Sequence, residues 1–191
     1  LHHTAAGVHD TGFQQMQTGR PFSGNLEYPH AGCVFAYLRG RSPGDHFSPP
    51  PAHVLLPGPM GNTGSGLAHG QTAGFLGSGY DPVCVNAGPD TPWTRAADLA
   101  GETEALRDAY GRSEFGENCL RARRLVEAGA GFITINMFRH LHGGPTWDAH
   151  GSAPFGGLND YPAVAAVFDR AYSTLLADLK ARGLLRDTLL V

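Results

Sequence analysis

Asp148 and His150 stand one residue apart in "TWDAHG" (146–151), after a Gly-Gly-Pro loop and before a long helical pattern. A carboxylate is a hard oxygen donor and a neutral imidazole a borderline nitrogen donor, a pairing that suits Zn²⁺ or Mn²⁺-like ions. Two donors do not make a site, and Asp-x-His also reads as a turn acid beside a solvated histidine. His140 and His142 lie in the same loop and could add a ligand or a substrate contact. At the other end, "LHHTAAGVHDTGFQQMQTGR" places His2, His3 and His9 just before the start of a helix. Helix starts present unpaired N–H groups and the positive end of the dipole. A nucleophile placed there is activated, and a phosphoryl or sulfuryl group on it is stabilised. Thr11 is the hydroxyl at the cap position, and Thr11 or Asp10 also reads as a plain helix cap.

The elements that must position these residues follow from the pattern. Residues 11–18 form a short helix ended by Gly19. A second helix runs from Pro29 to Gly40, with Cys33, Val34, Tyr37 and Leu38 on or near one face. "RSPGDHFSPPP" is a Pro-rich loop, and "AHVLLP" is a short buried strand. The Gly-rich stretch 58–82 follows, with at most one helical turn. Its glycines do not match GxGxxG, and no Lys-Ser/Thr follows them, so a nucleotide-binding loop is the weakest reading. Ser113 caps a helix to Ala128, with Phe115, Cys119, Ala122 and Val126 at helical spacing and Gly129 as the stop. "GFITIN" is a buried strand. A helix from Asp160 to Arg182 carries an apolar stripe of Val164, Val167, Phe168, Ala171, Leu175 and Leu179, with Asp178 and Arg182 paired on its solvated side. "DTLLV" (187–191) is the next strand. Helix–strand–helix–strand order implies an α/β fold with parallel strands and right-handed crossovers. Ligands in such sheets collect beyond the carboxyl ends of the strands, where the loop carrying Asp148 and His150 begins.

Composition narrows the classes. The 191 residues fit one domain, and no apolar run reaches the roughly 18 residues of a membrane span. A net charge of −3, with Lys and Arg dispersed, gives no nucleic-acid patch. The three cysteines, Cys33, Cys84 and Cys119, form no CxxC pair, and Cys119 reads as a small buried thiol. Gly and Pro make up roughly a fifth of the chain, which implies long loops between few regular elements. Ten histidines, most of them in those loops, are the oddity. A start at Leu1 and a stop inside "DTLLV" suggest a piece of a longer protein.

Four stretches, "HHT…HDTGFQQMQTGR", "FGENCLRARRLVEAGAGFITIN", "WDAHG" and "VFDRAYSTLLADLKARGLLRDTLLV", together resemble the alkaline phosphatase/sulfatase superfamily. Within it they are most similar to a group of exported bacterial proteins of unassigned activity. The likeness covers most of the chain and is weakest over 40–110, a loop-rich, insertion-like part of one partial domain, 1–191. The resemblance implies an alkaline-phosphatase-like α/β fold, mainly a parallel sheet with flanking helices, incomplete at both ends. It implies a metal-dependent hydrolase of phosphate or sulfate esters, on small molecules or glycans, located outside the cytoplasm. Asp148 and His150 match the first metal-ligand loop, for Zn, Mn, Ca or Mg, although the phosphatases space this pair as Asp-x-x-x-His. Counting back from Thr18-Gly19, the nucleophile position falls on His9. Neither the phosphatase serine nor the sulfatase Cys-x-Pro-Ser-Arg setting is present, and Thr11 lies two residues away. Further ligands are expected beyond Val191, so the chain alone is expected to be inactive. A non-catalytic member of the same fold, serving as a binding or surface protein, is the competing expectation.

Overall fold

A computed structural model of the protein describes residues 9–21, 24–40, 52–61, 68–85, 91–141, 143–149 and 156–191. The fold is mixed α/β, built on a two-stranded parallel sheet. Strand β1 (His53–Leu56) pairs with β2 (Phe132–Ile135) in the register His53↔Phe132 to Leu56↔Ile135. Residue 83 extends β1's other side, through the Leu55 N–H to the Val83 carbonyl and the Val83 N–H to the His53 carbonyl.

Because successive strand residues point to opposite faces, this register sorts the side chains into two layers. Val54, Leu56, Ile133 and Ile135 face one side and pack with Trp93, Ala97, Ala122 and Leu125. These partners come from α3 (Pro92–Ala96), the turn after it and α5 (Glu114–Glu127). His53, Phe132 and Thr134 face the other side, under α2 (Ala31–Leu38). Both faces are therefore covered, as a parallel sheet requires.

Helix α5 connects two cores. Its Ala122 and Leu125 face the sheet, while Phe115, Cys119 and Leu120 join Leu99, Tyr110, Ala171, Leu175 and Leu179 in a second cluster. The latter residues belong largely to α4 (Glu104–Tyr110) and α6 (Tyr161–Ala181). The ends of these helices are set locally. Ser113 Oγ accepts the Gly116 N–H, Thr103 Oγ1 accepts the Leu106 N–H, and Thr91 with Thr94 forms a capping box before Pro92.

Several expectations change here. Helix α1 (His9–Thr18) contains Asp10 and Thr11, so neither is its N-cap. In α2 the buried residues are Gly32, Cys33 and Ala36, whereas Tyr37 and Leu38 are exposed. His53 selects this face: a Cβ on Gly32 would fall 2.6 Å from its ring, so only glycine admits the imidazole. On α6, Val164, Ala171, Leu175 and Leu179 are buried, but Val167 and Phe168 are half-exposed. Phe168 sits instead in a surface stack between Phe115 and Tyr172, at 5.8 and 5.1 Å. Residues 187–191 form no strand; the chain makes a 3-10 turn at Leu184–Arg186 and continues irregularly, with Leu190 against the helical core. The 40–110 stretch contains β1, α3 and α4 as well as loop. The expected Pro-rich loop at 41–51 lies outside the described residues.

Two buried polar clusters fasten the layers. Arg123, 1% exposed, stands 2.7 Å from Glu102 and 3.0 Å from Asp178, and also meets Glu127. Tyr110 donates its hydroxyl to Asp178 at 3.0 Å, and Arg182 closes the group at 2.6 Å from Asp178. Asp178, expected on a solvated face, is thus largely enclosed between α4, α5 and α6. Breaking such a group strands charges in the interior. Arg123→Ala is expected to cost about 3–5 kcal/mol in urea unfolding, because Glu102 and Asp178 lose their shared partner.

The second cluster joins α2 to the sheet. His30 and His53 stack at 4.5 Å, and Thr134 Oγ1 lies 3.4 Å from His30 Nε2 and 3.2 Å from His53 Nε2. The Gly32 N–H donates to His30 Nδ1, which places the proton of the neutral ring on Nε2, toward Thr134. Thr134 can then donate to His53 Nε2, leaving the Nδ1–H of that ring toward Cys33 Sγ at 3.5 Å. Burial holds His30 down to about 4, and burial, then His30 itself, holds His53 down to about 3. Both rings are neutral in the fold, whereas unfolded histidines take up protons below about 6.5. This stability is complete above that value and is lost as pH falls toward 4 and then 3. Urea unfolding between pH 6.5 and 5 should show a slope approaching 1.4 kcal/mol per unit for each ring, flattened in His30→Asn.

Candidate functional site

The chain segments leaving β1 and β2 stay together past the carboxyl ends of the strands. Asn136 donates its backbone N–H to the Leu56 carbonyl at 2.7 Å and its side-chain Nδ2 to the Gly58 carbonyl at 2.9 Å. Gly61 then donates its N–H to the Arg139 carbonyl at 2.8 Å, and the His140 ring lies against Gly61. Gln71 extends the platform. Its Oε1 accepts the Met60 N–H at 2.6 Å, and its Nε2 donates to the Met60 and Ala68 carbonyls, each at 2.9 Å.

Helix α1 (His9–Thr18) seats on the next residues of that segment. Gly70 has φ +78 and approaches the helix so closely that a Cβ there would stand 2.9 Å from Thr18 Cγ2 and 3.1 Å from the Gln14 Cα. The β1 exit loop thus carries α1 at the same edge to which β2 delivers its own loop. Within that second loop, Thr146 Oγ1 accepts the Asp148 N–H at 3.1 Å, and Tyr161 donates its hydroxyl to the Trp147 carbonyl at 3.1 Å. The loop is held from inside by a buried threonine and from outside by the first residue of α6.

These constraints converge on one contact. His9 Nε2 stands 2.9 Å from Asp148 Oδ2, joining the first turn of α1 to the loop after β2. The Asp148 carboxylate is 4% exposed and the His9 ring 40% exposed, so a buried acid holds an imidazole that reaches solvent. Two residues singled out at opposite ends of the sequence therefore meet in space. Thr11 lies on the same helix, and its backbone N–H donates to Asp10 Oδ1 at 2.9 Å. His2, His3, His142 and His150 fall outside the described residues. Among the described residues no group of three or more His, Cys, Asp or Glu is placed to hold a metal ion.

Sequence reasoning missed the residues that organise this edge, above all Asn136 and Gln71. Asn136 did leave a signal: a carboxamide that ends the apolar run "FITI". Gln71 left none, because its partners at 60 and 68 are backbone groups in an irregular loop.

The described residues define a mixed α/β protein with a parallel strand pair and a His–Asp contact beyond its carboxyl end. A family model described as "Protein of unknown function (DUF1501)" matches residues 90–191, more than half of the chain, and the chain belongs to that family. The matched part holds α3, α4, α5, β2, the Asp148 loop and α6. No curated protein and no solved structure matches the chain. No helix among the described residues is long and apolar enough to cross a membrane.

Asn136→Ala tests the lock on the two exit loops. It leaves the buried Gly58 carbonyl without its donor, and urea unfolding is expected to register a loss of about 1–3 kcal/mol.

Proposed function

We propose that the chain is part of a metal-dependent hydrolase of phosphate or sulfate esters, with an alkaline-phosphatase-like architecture. Asp148 and His150 hold a divalent ion, and α1 brings the group-transfer position to it. The observation that carries this reading is the 2.9 Å contact between His9 and Asp148. The resemblance in sequence assigns these two residues to the transferred group and to the metal, which must be neighbours in any such enzyme. The donor types agree with the chemistry, since one carboxylate and imidazoles suit Zn²⁺ or Mn²⁺. The location agrees as well, beyond the carboxyl ends of parallel strands.

A bound divalent ion would supply positive charge for the oxygens on which charge develops during ester cleavage. The chain's own contribution is positional. Thr146 and Tyr161 fix the Asp148 loop, Asn136 fixes the strand exits, and Gly70 with Gln71 fixes the seat of α1. The substrate is an ester of a small molecule or a glycan, and the same resemblance implies a location outside the cytoplasm.

A second reading is favoured by one residue. His9 stands where this superfamily carries a hydroxyl or thiol nucleophile, which suits a non-catalytic member serving as a binding or surface protein. The two readings separate by assay. The full-length protein should hydrolyse 4-nitrophenyl phosphate or 4-nitrophenyl sulfate with Zn²⁺, Mn²⁺, Ca²⁺ or Mg²⁺, and Asp148→Ala should lower kcat/KM by about a hundredfold or more. No turnover of either ester with any of the four ions would leave the binding reading in possession.

A further inference from the structure

We propose that Trp147, seated against the aromatic row of α6, is a stacking platform for a sugar ring, so that the ester substrate is a glycan. This assignment rests on the ester-hydrolase reading above and names its substrate class. Trp147 directly precedes Asp148. Its neighbours Thr146 and Asp148 are buried, whereas Trp147 itself is 45% exposed. The indole is thus offered to solvent by a loop whose adjoining residues are packed inside.

That exposure is not slack. Tyr161 donates its hydroxyl to the Trp147 carbonyl at 3.1 Å, and its ring lies 6.1 Å from the indole. Phe168 meets the indole nearly edge to face, at 6.1 Å and 76°. Phe168 is in turn stacked between Phe115 and Tyr172, and Phe115 belongs to the helical core. The row is therefore rooted in the interior, and Trp147 is held in place before any ligand arrives. A ring already fixed loses little freedom on binding.

Size and chemistry select the occupant. With Trp147 45% and Phe168 37% exposed, the two rings offer on the order of 200 Å². A stable protein interface needs about 800 Å² on each side, so a second copy of the chain is too large a partner for this surface. A sugar ring matches it: one C–H face lies flat on the indole, while its hydroxyls stay in water on the open side. A planar aryl group would keep its second apolar face wet on so open a platform. The platform flanks the loop that bears Asp148, so a glycan can rest one sugar on Trp147 while its esterified sugar enters the proposed centre. Binding energy from such a remote ring positions the reacting group.

The test reads Trp147 by its own fluorescence in the full-length protein, as the emission that Trp147→Phe removes. The probes are neutral and sulfated oligosaccharides of glucose, galactose and N-acetylglucosamine. Acrylamide is expected to quench Trp147 in the free protein, and at least one of these glycans to shield it. By titration calorimetry, Trp147→Ala should weaken that glycan by about tenfold or more, the worth of one aromatic stack. Trp147→Tyr, which restores a flat ring, should recover most of the loss and so guards against misfolding of the alanine variant. Shielding of Trp147 in the free protein would mean that another copy or another part of the chain covers it, and overturns the proposal. So does binding of none of the glycans, unchanged affinity in Trp147→Ala, or no recovery in Trp147→Tyr. Each of these leaves the hydrolase reading to its own assay with 4-nitrophenyl esters. Glycan binding through Trp147 in a protein that turns over no ester overturns the hydrolase reading alone, and the platform stands as a glycan-binding site.

Discussion

Everything at the proposed centre depends on the parallel pairing of β1 with β2. Parallel neighbours cannot be joined by a tight turn, so the chain between Leu56 and Phe132 must travel back along the sheet before it pairs. That return path supplies α3, α4 and α5, and α5 carries the apolar residues that cover one sheet face. Parallel pairing also brings both strands out at the same edge. The exit loops therefore meet, Asn136 fastens them, and the two segments bearing His9 and Asp148 are delivered to one place. An antiparallel pair would have sent the two exit loops to opposite ends of the sheet.

The polar clusters set how firmly this arrangement is held. Arg123 joins α5 to Asp178 of α6 and to Glu102, and the stacked His30 and His53 join α2 to β1 and β2 through Thr134. The first holds the helical layer to the helix that follows the Asp148 loop. The second holds the opposite layer to the strands. Each is buried with its partners present, which is the condition under which ionic and imidazole groups stabilise an interior.

Much of the scaffold was legible because its signals are local. Ser113 with the apolar spacing of 115–126 marks α5, "FITI" marks β2, and the run ended by Gly183 marks α6. The misses have physical causes. Helices α3 and α4 are too short for periodicity to reveal, although Thr91-Pro92 and Thr103 are cap signals in hindsight. "DTLLV" has strand composition, but pairing is a long-range matter, and here the segment rests on the helical core. Val167 and Phe168 fit the stripe of α6 by type, yet the aromatic stack with Phe115 and Tyr172 holds Phe168 at the surface. Residue type marks His9 and Asp148 in the sequence, but only the fold puts the one beside the other.

The account stands or falls on whether that contact is the rim of a metal centre. The most direct measurement is anomalous diffraction at the zinc edge from crystals of the full-length protein grown with Zn²⁺. The proposed metal centre predicts an anomalous peak within bonding distance, about 2.0–2.2 Å, of the Asp148 carboxylate. A structure in which zinc is bound elsewhere, with no peak at the Asp148 carboxylate, would contradict it.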